Sequence, residues 1–326
     1  MKEIFNPDLY HGKHKKKNFF EGWYYKIVDK NDSHKLAIIP GISYGDSEDQ
    51  HHSFIQILNG YENKYYYISY PHEDFKYSNN KFRICVNSNI FSMDNLDLSI
   101  DDNDIKIKGH IVFKNNVKWP GTILNPGSMG FYNYLKFMEC YSQVCVLNGS
   151  IVGNLDINGK DIDFTGGKVY IEKNWGKSFP KSWLWIQSNS FKDRKASVTC
   201  SLGNVPFLFS SFQGFLIGVT IENQFYSFTT MNRSKIKIQS LGDDIVLTVK
   251  KKNLKLTLKT FSKKDTFLLC NGPKKGLMSP FVKETLSGQV YMLLEDTQNN
   301  KKIFEDIGSS AGIEYGGDFL NAIKIK

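Results

Sequence analysis

The sequence predicts an all-β protein of two antiparallel β-barrels in tandem, and three observations carry that prediction. Short runs of β-branched and aromatic residues recur along all 326 residues, separated by Asn, Asp, Gly and Lys turns. No long stretch keeps a 3.6-residue apolar period with helix caps. An aromatic strand near the start, Glu21-Gly22-Trp23-Tyr24-Tyr25-Lys26-Ile27, is echoed by Lys181-Ser182-Trp183-Leu184-Trp185-Ile186-Gln187. Trp23 aligns with Trp183 and Tyr25 with Trp185, about half a chain apart. Alternation puts each Trp and the next aromatic on one face of a strand. Evenly spaced strands with little helix argue for barrels or sandwiches rather than a parallel α/β sheet.

The elements follow in order. Strands are expected at Trp23–Asp29, Lys35–Pro40, His52–Leu58, Tyr65–Tyr70, Lys81–Val86, Leu96–Ile100, Ile105–Phe113, Ser150–Ile157 and Asp161–Tyr170. The second half adds Trp183–Ser188, Ala196–Leu202, Phe215–Ile221, Gln224–Thr230, Lys235–Ser240, Asp244–Lys250, Leu254–Phe261 and Gln289–Leu294. Asn59–Gly60, Asn158–Gly159 and Glu222–Asn223 read as hairpin turns. The stretch Trp119–Gly130, with two Pro and three Gly, reads as a long loop in the first barrel. Gly176–Ser182 reads as the junction. The domains are then 1–178 and 179–326.

Composition bounds the function. At roughly 150 residues per domain, the length fits two domains. Hydrophobic residues make up 40% and aromatics 14%, which excludes a disordered or collagen-like chain. Five cysteines without a C-x-x-C pair do not make a disulfide scaffold, so a reducing compartment is expected. Residues 1–18 show no apolar signal region. Val205–Ile221, the most apolar window, is broken by Pro206, Gln213 and two glycines, and reads as two buried strands around a turn. A soluble, cytoplasmic protein is the expectation. The net charge of +9 comes from lysine clusters such as Lys15–Lys17 and Lys250–Lys252, which read as solvated hairpin ends, not a nucleic-acid surface. Basic loops around an apolar pocket leave peripheral contact with an anionic membrane open.

Three blocks then carry a resemblance. Phe20-Glu21-Gly22-Trp23-Tyr24-Tyr25-Lys26 resembles the opening motif of the tocopherol cyclase family. Pro126-Gly127-Ser128-Met129-Gly130, followed by Phe137-Met138-Glu139-Cys140, resembles its second block. The longest match runs from Phe164 through Glu172-Lys173-Asn174-Trp175-Gly176 to Pro180, then Trp183 to Asn189. Gly312 to Asp318 fits the closing motif. The resemblance implies two lipocalin-like barrels, as in the related carotenoid hydratase and AttH-like proteins. It implies a long apolar substrate, such as a prenylated hydroquinone, in an aromatic-lined cavity. The chain departs from the family where a His-Gly usually follows Glu139-Cys140-Tyr141: here stand Ser142-Gln143, and later Asn148-Gly149.

Such a cyclisation or hydration has stated needs. An acid must protonate a trisubstituted alkene, and an apolar site keeps a carboxyl protonated by desolvation. Aromatic faces stabilise the tertiary cation, and water must be controlled. No metal or other cofactor is called for. Glu172 is the first candidate proton donor and Glu21 the second. Trp23, Tyr25, Trp175, Trp183 and Trp185 are candidate cation stabilisers. Asn174 and Gln187 could orient a polar head group; Glu139 and His52 are candidate cavity residues, and Glu314 is a further carboxyl of interest.

Plainer roles stand beside these. Trp23 and Trp183 could close barrel floors. Glu21 with Lys26, or Glu172 with Lys173, could be ordinary ion pairs, and Glu139 another. Asn174-Trp175-Gly176 could be a tight turn. Asp49, His51 and His52 are a poor metal cluster, because adjacent strand residues point to opposite faces. Serine-hydrolase and nucleotide fingerprints are absent. The alternative to an enzyme is a carrier that holds a lipophilic ligand unchanged. Oligomeric state is not legible in the sequence.

Overall fold

The computed structural model describes residues 2–135, 138–192, 195–207 and 210–320. The chain divides into two units. The first holds Met1–Phe179 with Leu269–Phe281, and the second Pro180–Leu268 with Val282–Lys326. Each unit is a curled antiparallel sheet, so the protein is all-β with two lipocalin-like barrels in tandem.

In the first unit a short helix, α1 (Lys2–Phe5), precedes β1 (Phe19–Val28), β2 (Lys35–Tyr44), β3 (His52–Asn59) and β4 (Lys64–Pro71). Then come β5 (Phe75–Tyr77), β6 (Arg83–Val86), β7 (Asn89–Ser92), β8 (Asn95–Asp101) and β9 (Lys106–Val117). The last three are β10 (Cys140–Ile157), β11 (Lys160–Asp163) and β12 (Lys168–Gly176). The spatial order is β4-β3-β2-β1-β12-β10-β9-β8-β7-β6-β5, with β11 beside β10. Asn158 and Gly159, both at positive φ (54° and 82°), make the tight turn from β10 to β11.

The second unit runs β13 (Trp183–Ser188), β14 (Ala196–Phe207), β15 (Ser210–Ile221), β16 (Gln224–Thr229) and β17 (Lys235–Leu241). It continues with β18 (Asp244–Lys251), β19 (Leu254–Phe261), β21 (Leu277–Asp296) from Val282 onward, and β22 (Lys301–Gly316); β20 (Leu268–Lys274) from Leu269 and the first five residues of β21 are counted with the first unit. Its order is β16-β15-β14-β13-β22-β21-β19-β18-β17, with β20 on β21. The turn expected between the two strands of the apolar window falls at 208–209, outside the described residues.

The 160-residue echo is a topological one. β1 pairs with the next strand and with the last strand of its unit, and β13 does the same. Each Trp does share a face with the next aromatic, but the faces differ. Trp23 and Tyr25 belong to the barrel core with Ile27, Ile38, Phe91 and Ile111. In β13 the core residues are Leu184 and Ile186, so Trp183 and Trp185 point out of the sheet. The intervening residues decide this: Tyr24 and Lys26 suit an outer face, whereas Leu184 and Ile186 take the inner one.

Several strands extend past the expected segments: β10 starts at Cys140, β12 reaches Gly176 and β21 starts at Leu277, while β5, β7, β20 and β22 were not expected at all. Asn174-Trp175-Gly176 is the end of β12 and not a turn. Among the described residues no helix is long and apolar enough to cross a membrane.

Candidate functional site

In the first barrel β1, β12 and β10 lie side by side, and the pleat sorts their residues between two faces. Register places Glu21 opposite Trp175, Trp23 opposite Lys173, and Tyr25 opposite Ile171. Tyr141 stands opposite Trp175 and Gln143 opposite Lys173. These residues share the core face. Tyr24, Lys26, Tyr170, Glu172, Asn174 and Ser142 share the other.

The inner cluster is an ion pair in an aromatic box. Lys173 Nζ lies 2.5 Å from Glu21 Oε1, and both side chains are 0% exposed. The ammonium also donates to the Leu9 carbonyl and lies 4.7 Å from the Trp175 ring centroid and 5.2 Å from that of Trp23. His11 stacks on Trp175 at 4.0 Å, and Tyr141 lies parallel to the same indole at 5.3 Å. The His11 backbone N–H donates to Glu21 Oε2 at 2.8 Å. His11 Nδ1 lies 3.1 Å from Lys173 Nζ and 3.4 Å from Glu21 Oε1, so it accepts from the ammonium in one tautomer and donates to the carboxylate in the other.

Burial by itself pushes the Glu21 carboxyl up, but the Lys173 charge and hydrogen bonds from His11 and Lys173 outweigh it and hold the carboxyl below its ordinary value. Glu21 is therefore a carboxylate at neutral pH. Burial, then the Lys173 charge, hold His11 below its ordinary value despite the opposing pull of Glu21. A strap of residues 7–12 supplies these contacts and covers the cluster. Leu9 and Tyr10 are buried, Tyr10 packs 5.1 Å from Phe75, and Asp8 Oδ1 accepts from Gln143 Nε2 at 3.0 Å. Tyr25 lies deeper, its hydroxyl donating to Ser92 O at 2.9 Å.

The outer cluster centres on Glu172, which is buried. Tyr170 OH donates to its Oε2 at 2.6 Å; Ser142 Oγ and Asn174 Nδ2 donate to Oε1 at 3.0 and 3.2 Å. Glu172 and Lys173 are chain neighbours on opposite faces, so the buried ion pair links Lys173 to Glu21 instead. Ser142, on β10, reaches Glu172 from the neighbouring strand.

Other candidates lie apart from these clusters. His52 sits near one end of the barrel, 2.6 Å from Tyr67 OH, with its pKa lowered by burial. Glu139 is exposed. Trp183, Trp185 and Gln187 belong to the second unit, on the outer face of β13. Trp183 Nε1 donates to Glu314 Oε2 at 2.5 Å, and Glu314 stands opposite Glu284 in the ladder. A groove in that unit is lined by residues 221–224 and 301–303 and holds none of the candidates. Among the described residues no group of His, Cys, Asp and Glu is arranged to hold a metal ion.

Lys173, His11, Gln143, Tyr170 and Ser142 were not among the candidate site residues read from the sequence. A signal existed for Lys173: it is in phase with Val169, Ile171 and Trp175. None existed for His11, because only the fold brings the N-terminal strap to the barrel mouth.

The profile described as tocopherol cyclase-like matches residues 101–317, well over half of the chain. The chain belongs to the tocopherol cyclase-like family. A protein named "Probable tocopherol cyclase, chloroplastic" from Oryza sativa subsp. japonica is 24% identical over 196 residues, covering 58% of this chain and 42% of the rice protein. The "Tocopherol cyclase, chloroplastic" of Zea mays is 31% identical over 103 residues, 30% of this chain and 22% of the maize protein. The match thus spans less than half the length of these relatives. Among solved structures, CghA with Sch210972 superposes with a TM-score of 0.58 at 8% identity, over 92% of this chain and 89% of CghA. That likeness is one of fold. The Glu172-Lys173-Asn174-Trp175-Gly176 segment of β12, within the matched residues, contributes to both clusters: Glu172 and Asn174 on one face, Lys173 and Trp175 on the other.

Proposed function

We propose that this family member is a cofactor-independent cyclase or hydratase. Its substrate is a hydrophobic molecule of isoprenoid or prenylquinol type, and Glu172 is its proton donor. The observation that carries the reading is the burial of the Glu172 carboxyl, which is not committed to Lys173, with the Tyr170 hydroxyl 2.6 Å away. Glu21, committed to Lys173, is an ion-pair carboxylate and leaves the acid role to Glu172.

The step balances. Glu172 in its acid form gives a proton to an alkene carbon, and the π bond becomes the new C–H bond and a tertiary cation. An oxygen, from the substrate's own hydroxyl or from water, attacks the cation and loses its proton to the Glu172 carboxylate. Taking that proton restores Glu172 to its acid form for the next turnover, with Tyr170 OH 2.6 Å away. Attack by the substrate's hydroxyl is cyclisation; attack by water is hydration.

The test incubates the protein with a prenylated hydroquinone and follows product by chromatography and mass spectrometry. Glu172→Gln is expected to lower turnover by about 100-fold or more, the usual scale for a general acid. Unchanged turnover in a folded Glu172→Gln protein rules the reading out. A second reading, carriage of such a ligand without chemistry, is favoured by Ser142 standing where the family's histidine would be. Recovery of intact ligand from the wild-type protein, with no product, would select it.

A further inference from the structure

The rim of the first barrel carries two features that the carboxylate clusters do not use. The first is a run of exposed cations, Lys13, Lys15, Lys16 and Lys17. Among the described residues none of the four makes an ion pair; Lys13 Nζ reaches only Asn79 Oδ1 at 3.4 Å, and Lys15 lies 6.0 Å from the Phe19 ring centroid. The second is a patch of apolar side chains in solvent. Leu124 is 79% exposed, Ile123 76%, Phe131 55% and Phe5 54%. Tyr134 ties them together: its ring is 6.1 Å from Phe5 and 6.2 Å from Phe131, and its hydroxyl donates to Ile123 O.

The two features meet at one place. Lys2, on α1 with Phe5, donates to Asn80 Oδ1 at 2.7 Å, and Lys13 reaches the adjacent Asn79. Both asparagines lie in the turn between β5 and β6. The strap 7–12 joins Phe5 to Lys13, so both features flank the segment that covers Glu21 and Lys173.

We propose that this rim is a docking surface for an anionic lipid bilayer. Cations alone would suit a phosphate backbone, but such a backbone gives Leu124, Ile123 and Phe131 nothing to bury against. Lysines beside unpaired large apolar side chains match the two layers of a bilayer surface, charged headgroups over acyl chains. Each lysine near an anionic surface strengthens binding about fivefold, and the attraction falls with salt. The contact would fall at the mouth of the barrel, beside the strap.

The test is sedimentation of the full chain with vesicles, made without substrate and so independent of the proposed chemistry. Vesicles of phosphatidylcholine alone are compared with vesicles that are about a third phosphatidylglycerol, at low and high salt. Retention is expected only on the anionic vesicles, and less at high salt. The triple variant K15Q/K16Q/K17Q is expected to bind about 100-fold more weakly, as three lysines at about fivefold each require. Leu124→Asp is expected to lose retention several-fold. All four substitutions are at exposed positions, and circular dichroism checks the fold. Equal retention on both vesicle types, full retention by either variant, or tighter binding to a random DNA duplex than to anionic vesicles would each overturn the proposal.

Discussion

Lys173 and Glu21 are diagonal neighbours on β12 and β1 inside the first barrel, with Nζ 2.5 Å from Oε1 and neither side chain exposed. Removing one partner strands the other charge in a low-dielectric core, which costs about 3–5 kcal/mol. Lys173→Met and Glu21→Gln are each expected to lower stability on that scale, read as the urea midpoint by tryptophan fluorescence. The double variant Glu21→Gln/Lys173→Met is expected to lose much less than the sum. Strict additivity would mean that the two side chains do not act as a pair.

The same pair sets an acid limit. Glu21 is held below its ordinary value in the folded state, so its contribution is fully present above the unfolded value, about 4.3. It is lost as pH falls through the folded value below that. In Glu21→Gln this component of the acid unfolding curve should vanish, leaving a flatter stability profile below about pH 4. A wild-type slope in the variant would assign the acid limit to other carboxylates.

His11 gives a separate, higher window. Its pKa is lowered by burial and then by Lys173, against opposing effects of Glu21 and Glu3. A proton on Nδ1 would face the Lys173 donors 3.1 Å away. Stability from neutral His11 is therefore complete above its unfolded value, about 6.5, and falls as pH drops below it toward the folded value. Hydrogen exchange of residues 7–12 is expected to quicken as pH falls from about 6.5, after correction for the intrinsic rate. His11→Phe, which keeps a ring on Trp175, should abolish that extra pH dependence. Its persistence in the variant would show that another group releases the strap.

The barrels were legible because their strands alternate cleanly and because β1 and β13 repeat an aromatic pattern. What stayed hidden has physical causes. Glu21, Lys173 and Gln143 are polar residues on an inner face, and each breaks the apolar alternation that marks a strand. Hence the first half of β10 and the end of β12, which carry both clusters, did not read as strands. β22 contains Gly308, Ser309, Ser310, Gly312 and Gly316, residues with little strand preference, and its pairing with β13 and β21 overrides that. Alternation shows which residues share a face and not which face looks inward, so Trp183 and Trp185 needed their neighbours Leu184 and Ile186 to be placed.

The glycines of β22 lead to the last expectation. Gly316 stands opposite Trp183 in the ladder, and Gly312 opposite Gln187, one step from Trp185. A Cβ on Gly316 would overlap the Trp183 ring, and one on Gly312 would come within 2.5 Å of the Trp185 ring. Neither glycine has a positive φ, so the requirement is space for the indoles and not backbone freedom. Trp183 is further fixed by its hydrogen bond to Glu314 and cannot swing aside without breaking it. Gly316→Ala is therefore expected to destabilise by about 1–3 kcal/mol, the scale of overpacking, and to shift Trp183 emission. Trp183→Phe should relieve much of that loss in the double variant, because the smaller ring leaves room for the methyl group. Thermal melts of the four proteins form a cycle, and a coupling near zero would mean that Gly316 is glycine for a reason other than Trp183.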